Sequence, residues 1–164
     1  MTSPRLVPLL LFVAAGVVVG SALLSQYVGG LQPCELCLAE RWPYYIVMAL
    51  NLLALLAGHR RLTEAVLALS GIVFLASAGL GAYHVGVEQH WIAGPTACTG
   101  GGTAGARSIE DLQKLLLQQQ PVRCDEIQWS LFGVSLAGWN LVVSLMLLVF
   151  TLGQLRQVLS RSAR

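Results

Sequence analysis

The stretch AVLALSGIVFLASAGLGAYHVGV, Ala65 to Val87, carries no formal charge from end to end. At 1.5 Å rise per residue, about 20 apolar positions in a helix cross the hydrocarbon core of a bilayer. Three more stretches read the same way. Leu6 to Ser25 is rich in Leu and Val, and Trp42 to Gly58 is shorter, with Asn51 as its main polar residue. Ile127 to Leu155 is the longest uncharged run, of which 131–152 is the part expected to be buried. None contains Asp, Glu, Lys or Arg, each of which costs about 2.5–3.5 kcal/mol at the centre of a span. Composition agrees: 55% of the 164 residues are hydrophobic, only 11% are charged, and the mean hydropathy is +0.69. A soluble domain is typically about 25% charged. The net charge of +2 gives no reason to expect a nucleic-acid partner. The first run is longer than the apolar region of a signal peptide and is followed by no clear A-x-A site, so it is expected to remain as a span.

The expected fold is therefore an all-α membrane protein, a four-transmembrane-helix bundle forming one integral membrane domain over residues 1–164. The spans are expected at about 6–25, 42–58, 65–87 and 131–152, with outer loops at about 26–41 and 88–130. Four spans put both termini on one side, together with Arg5, the tight loop His59-Arg60-Arg61, and Arg156, Arg161 and Arg164. The opposite side carries Arg41, Arg107, Lys114 and Arg123 against Glu35, Glu40, Glu88, Glu110, Asp111, Asp125 and Glu126. Short loops rich in Lys and Arg stay in the cytoplasm, so both termini are expected inside and both larger loops outside.

That orientation sorts the cysteines. Cys34 and Cys37 fall in the first outer loop, Cys98 and Cys124 in the second, all facing a compartment where disulfides persist. Between the second pair, Thr99 to Ala106 (TGGGTAGA) reads as flexible. Ser108 is a plausible N-cap with acids Glu110 and Asp111 in the first turn, and Ile109, Leu112, Leu115 and Leu116 repeat at helical spacing before Pro121. A short amphipathic helix at about 109–119 is expected, lying in the membrane interface or packed on the protein's own loops.

Cys34-Glu35-Leu36-Cys37 is a C-x-x-C motif. Leu38 stands where a c-type haem site needs His, and no βαβ pattern surrounds the motif as in a thioredoxin-like domain. A zinc site would draw on all four thiolates, yet Cys98 and Cys124 are not a closely spaced pair, and no metal site is expected. A bond between Cys98 and Cys124 would close a long loop and restrain the unfolded chain. A bond between Cys34 and Cys37 closes only a tiny ring, which makes a poor staple and a good redox centre. Helix two is expected to begin just after the pair, placing Arg41 one turn beyond Cys37, and both features favour a thiolate. A lipid-soluble electron acceptor such as a quinone can reach a dithiol at the bilayer surface.

On these residues the chain resembles the disulfide bond formation protein B (DsbB) family, the quinone-dependent thiol oxidases of the bacterial inner membrane. The resemblance covers nearly the whole chain. It is carried by Pro33-Cys34-Glu35-Leu36-Cys37 with Glu40-Arg41, by the Cys98 and Cys124 pair around an amphipathic segment, and by GVSLAGWN from Gly133 to Asn140. It implies that Cys98 forms a mixed disulfide with a periplasmic DsbA-type dithiol oxidase, and that Cys124 resolves it and exchanges with Cys34. Cys37 would then be the thiolate that meets the quinone, ubiquinone or menaquinone, forming an adduct with it, while Arg41 holds the developing charge. The flexible glycines would let the second loop carry its cysteines to the first.

His84 and Glu88, one turn apart, either line the quinone pocket or sit at the interface among water and headgroups. Trp42, Trp91 and Trp129 read first as interfacial anchors. Two other functions stay open on the residues alone: a thiol reductase passing electrons outward, and a scaffold whose disulfides only stabilise its loops.

Overall fold

The computed structural model describes residues 5–95, 108–110, 113 and 122–162. Cys98, the glycine-rich stretch and most of the expected amphipathic helix lie outside the described residues. The described chain is mostly helical: α1 (Leu6–Tyr27), α2 (Glu35–Ala39), α3 (Trp42–Ala57), α4 (Arg60–Glu88) and α5 (Leu136–Ser162), with strands β1 (Ser130–Leu131) and β2 (Val134–Ser135) before α5.

Among the described residues α1, α4 and α5 are long and apolar enough to cross a membrane. Helix α3 has 16 residues, about 24 Å at 1.5 Å each, short of the roughly 30 Å core. Its start is fixed by chemistry. Pro43 has no N–H to continue a helix from α2 and its ring crowds the carbonyl four residues back, so the chain breaks between Ala39 and Trp42. Gly58 ends α3 at φ 65°, a left-handed cap that suits glycine.

The boundaries of two spans differ from expectation. Helix α4 already starts at Arg60, so Arg60 and Arg61 form its first turn rather than a loop, and Arg60 bonds Glu64 one turn on at 3.1 Å. Helix α5 begins at Leu136, not 131, and runs on to Ser162. The residues before it make a tight antiparallel hairpin, Ser130 opposite Ser135, with Phe132 and Gly133 both at positive φ as a two-residue turn demands.

The helices pack as neighbours in the order α1, α3, α4, α5, with the α4–α5 contact the most extensive. A stripe at four-residue spacing on α1, Val7, Leu11, Ala15 and Val19, meets Tyr44 and Val47 of α3 and Leu67 and Phe74 of α4. On α4, Gly81 lets α5 approach so closely that a Cβ there would lie 3.2 Å from the Leu141 backbone. Small residues at helix contacts are how membrane bundles gain packing without a hydrophobic drive between helices. Polar pairs join the same seams: Tyr44 Oη donates to Asn140 Oδ1 at 2.6 Å, Ser77 and Ser144 hydroxyls meet at 2.9 Å, and Asn51 Nδ2 donates to Ser70 at 3.1 Å. The outward faces of all four long helices are apolar, for example Val13 and Val17 on α1, Leu53 and Leu56 on α3, Ile72 and Leu75 on α4, and Met146 and Val149 on α5. So much exposed apolar surface is the mark of a protein that sits in lipid.

Candidate functional site

Cys34 occupies the N-cap position of α2, in extended backbone, and its Sγ accepts the Cys37 N–H at 3.2 Å. One helical turn thus brings the two sulfurs together, 2.7 Å apart, as a dithiol. Cys34 is buried and Cys37 half-buried. A single thiol proton between two sulfurs this close polarises them in opposite directions. Donation to Cys37, with burial behind it, pushes the Cys34 thiol well up from its ordinary value. Accepting that bond pulls Cys37 down, against the opposing effect of burial. The hydrogen bond thus favours the thiolate at Cys37 over Cys34. The cause is not the expected one: Cys34, not Arg41, lowers it.

Helix α4 supplies the third group. His84 is buried, 2% exposed, near its C-terminal end, with Nε2 3.6 Å from Cys34 Sγ and Nδ1 2.9 Å from Glu40 Oε1. The carboxylate accepts from Nδ1, which fixes the proton there and turns Nε2 toward the sulfur. Burial pushes the Glu40 carboxyl up, and the His84 bond opposes it. Glu88 does not pair with His84. Its Oε2 accepts from the Ser135 hydroxyl at 2.5 Å, and Ser135 in turn accepts the Gly138 N–H at 3.1 Å, capping α5. Both residues are thus inside the protein, and the alternative of an interfacial pair among headgroups does not describe them.

Cys124 comes from the segment between α4 and β1 and is 1% exposed. It shares a buried cluster with Cys34, Leu36 and Val87, and Cys37 packs against the same cluster. One member of each cysteine pair is thus brought together by the fold. Nearby, Arg123 forks onto Asp125 with contacts of 3.0 and 2.7 Å.

Beside the dithiol lies a cavity of about 220 Å³ walled by α1, α3, α4, α5 and the segments that join them, and bordered by Cys34, Cys37, Arg41 and His84. Arg41 Nη1 donates to Gln26 Oε1 of α1 at 2.7 Å, so the guanidinium spans the cavity edge rather than reaching Cys37 directly. Asn140 also borders the cavity, where its side chain faces the Glu40 carboxyl and helps to hold it down against burial. Trp129 and Trp139 are at the wall, while Trp42 and Trp91 are 66% and 78% exposed and fit interfacial anchoring. Sequence reasoning missed Gln26, Asn140 and Trp139 as site residues and gave Glu40 no role. The available signal was polar or ionisable character at the ends of apolar runs, where such groups are costly and tend to be functional.

The family model for disulfide bond formation protein DsbB matches residues 4–154. Among curated proteins, disulfide bond formation protein B of Acinetobacter baumannii is 33% identical over 93% of this chain and 91% of its own length. The protein of that name from Aromatoleum aromaticum is 31% identical, covering 92% and 91%. Disulfide bond formation protein B 1 of Pseudomonas aeruginosa is 29% identical, covering 94% and 96%. No solved structure matches the chain significantly.

Proposed function

The chain belongs to the DsbB family, a family of membrane thiol oxidoreductases, and from that premise we propose that it reoxidises a periplasmic DsbA-type dithiol oxidase and passes two electrons to a membrane quinone. The observation that carries the proposal is a polarised dithiol, Cys34 and Cys37, at the wall of a cavity and in one cluster with Cys124. In this reading all four long helices span the inner membrane, α3 included because its outward face is as apolar as the others, with both termini cytoplasmic.

The residues fit a quinone ring. A cavity of roughly 150 Å³ holds a benzene molecule, and this one is larger. Arg41 and the Asn140 amide carry N–H donors at its wall, suited to carbonyl oxygens that gain charge on reduction. A bound quinone supplies the two-electron acceptor. The protein's part is to present Cys37 as thiolate, to exclude water, and to hold protons on Cys34 and on the His84–Glu40 pair. Upstream, a partner thiolate attacks Cys98 of a Cys98–Cys124 disulfide and frees Cys124. The partner's second thiol displaces Cys98, and the partner leaves as a disulfide. Cys124 attacks Cys34 of the Cys34–Cys37 disulfide and releases Cys37 as the thiolate, after which Cys98 displaces Cys34 and restores the Cys98–Cys124 disulfide. Each turn converts one partner dithiol to a disulfide and one quinone to a quinol, two electrons and two protons in all.

The test is quinone reduction by the purified protein supplied with a reduced DsbA-type partner. Partner-dependent turnover that vanishes in Cys37→Ser supports the relay. No turnover with ubiquinone or menaquinone across several partners overturns it in favour of a reductase or a scaffold.

A further inference from the structure

Three soft donor atoms converge at the head of α4. Cys34 Sγ, Cys37 Sγ and His84 Nε2 all lie within 4.8 Å of one another. The geometry points to a redox-gated site for a thiophilic divalent cation, with Zn²⁺ as its representative, formed by Cys34, Cys37 and His84 only while the cysteine pair is reduced. The inference needs no quinone and stands independently of the function proposed above.

Thiolate and imidazole are the donors zinc prefers, and Cys₂His with an open fourth position is an established donor set. Spacing along the chain argues against zinc only while cysteines alone are counted; folding adds the histidine. The outer shell is also built. Glu40 accepts from His84 Nδ1 at 2.9 Å, the carboxylate–histidine arrangement that orients a ligating ring and leaves the Nε2 lone pair for a metal. Cys34, Cys37 and His84 border the cavity, which leaves room for a water as fourth ligand.

The two sulfurs are 2.7 Å apart. Zn–S bonds of about 2.3 Å hold tetrahedral sulfurs roughly 3.8 Å apart, so the pair must open by about 1 Å. Cys37 is half-buried and sits in the five-residue helix α2, which gives the pair freedom to open. On binding, two S–Zn bonds and one N–Zn bond form, the remaining thiol proton leaves to solvent, and no electron moves. Oxidation of the pair by thiol–disulfide exchange with a small-molecule disulfide, which takes up the two electrons and leaves as two thiols, removes both thiolates and ejects the cation. Metal and oxidation thus compete for the same two sulfurs, and a bound cation holds the pair reduced.

The experiment uses the full chain in detergent micelles with Cys98→Ser and Cys124→Ser, so that the second pair supplies no thiolate. The protein is reduced with a phosphine, freed of reductant under argon, and titrated with Zn²⁺ against a chromophoric chelator. One ion per chain is expected in the reduced protein and none after Cys34 and Cys37 are oxidised. Glu40→Gln should weaken binding about 10- to 100-fold, and His84→Ala by more. Co²⁺ in place of Zn²⁺ should give a sulfur-to-cobalt charge-transfer band together with the intense visible bands of a four-coordinate ion. The redox comparison and the Co²⁺ spectrum need no His84 variant, so a misfolded variant does not blunt the test. Equal binding to reduced and oxidised protein, a six-coordinate Co²⁺ spectrum, or undiminished affinity in folded His84→Ala overturns the inference.

Discussion

Replacing Cys34 tests whether one thiol sets the reactivity of the other. Cys37 is held below the ordinary thiol value chiefly by the hydrogen bond it accepts from Cys34, 2.7 Å away, while burial pulls the other way. Cys34→Ala removes the donor and leaves the burial. A hydrogen bond to a charged group contributes about 1.5–3 kcal/mol, and 1.36 kcal/mol is one pKa unit, so the Cys37 pKa should rise by about one to two units. Cys34→Ser keeps a hydroxyl donor in the same place and should leave Cys37 close to its original value. The assay is iodoacetamide alkylation of the reduced protein across pH, with the Cys37 peptide quantified by mass spectrometry. At neutral pH the thiolate fraction, and hence the rate, should fall about 10- to 100-fold in the alanine variant and change little in the serine variant. Identical Cys37 titrations in the two variants, or a lower midpoint in Cys34→Ala, would refute the assignment of Cys34 as the donor.

The same lowered value has a consequence for stability. Between the folded-state value and the ordinary thiol value of 9.0, the unfolded chain binds more protons at Cys37. The thiolate's stabilisation should therefore grow as pH rises through the folded value and level off near 9.0. It should vanish as pH falls below the folded value, a trend readable in the melting temperature of reduced protein and absent in Cys37→Ser. Gly81→Leu should drive a side chain into Leu141, where even a Cβ would lie 3.2 Å away. Overpacking of this kind costs about 1–3 kcal/mol, and an unchanged thermal midpoint would contradict the close α4–α5 contact. Tyr44→Phe removes hydrogen bonds to Asn140 and Ser144. Bonds between helices in membranes average about 0.6 kcal/mol, so a small loss in chemical-denaturation stability is expected, and a loss several times larger would mean the network is more cooperative than its geometry suggests.

Much was legible in the chain itself. Uncharged runs such as Leu6 to Ser25 and Ala65 to Val87 declare membrane helices, because lipid offers no water to charged side chains or to unpaired backbone groups. The C-x-x-C motif declares a local dithiol, because one helical turn is all that its two sulfurs need to meet. Such signals depend on neighbours in sequence, so no tertiary structure is required to read them. What lay beyond reach were contacts between distant residues. His84 is 50 residues from Cys34 and 44 from Glu40, and nothing in the sequence says that the end of α4 will face α2 rather than lipid. Arg41 shows the same limit in reverse. Helical periodicity aims it along the face of Cys37, but Pro43 breaks the helix and the side chain finds Gln26 on α1. Residues 130–135 are as uncharged as the span that follows them, yet they fold into a hairpin whose Ser135 both caps α5 and holds Glu88. Apolar content alone determined that this chain enters a membrane, and the C-x-x-C spacing that two of its thiols meet. Which groups surround those thiols was decided by helix packing, because buried polar groups must find partners wherever the bundle brings them within reach.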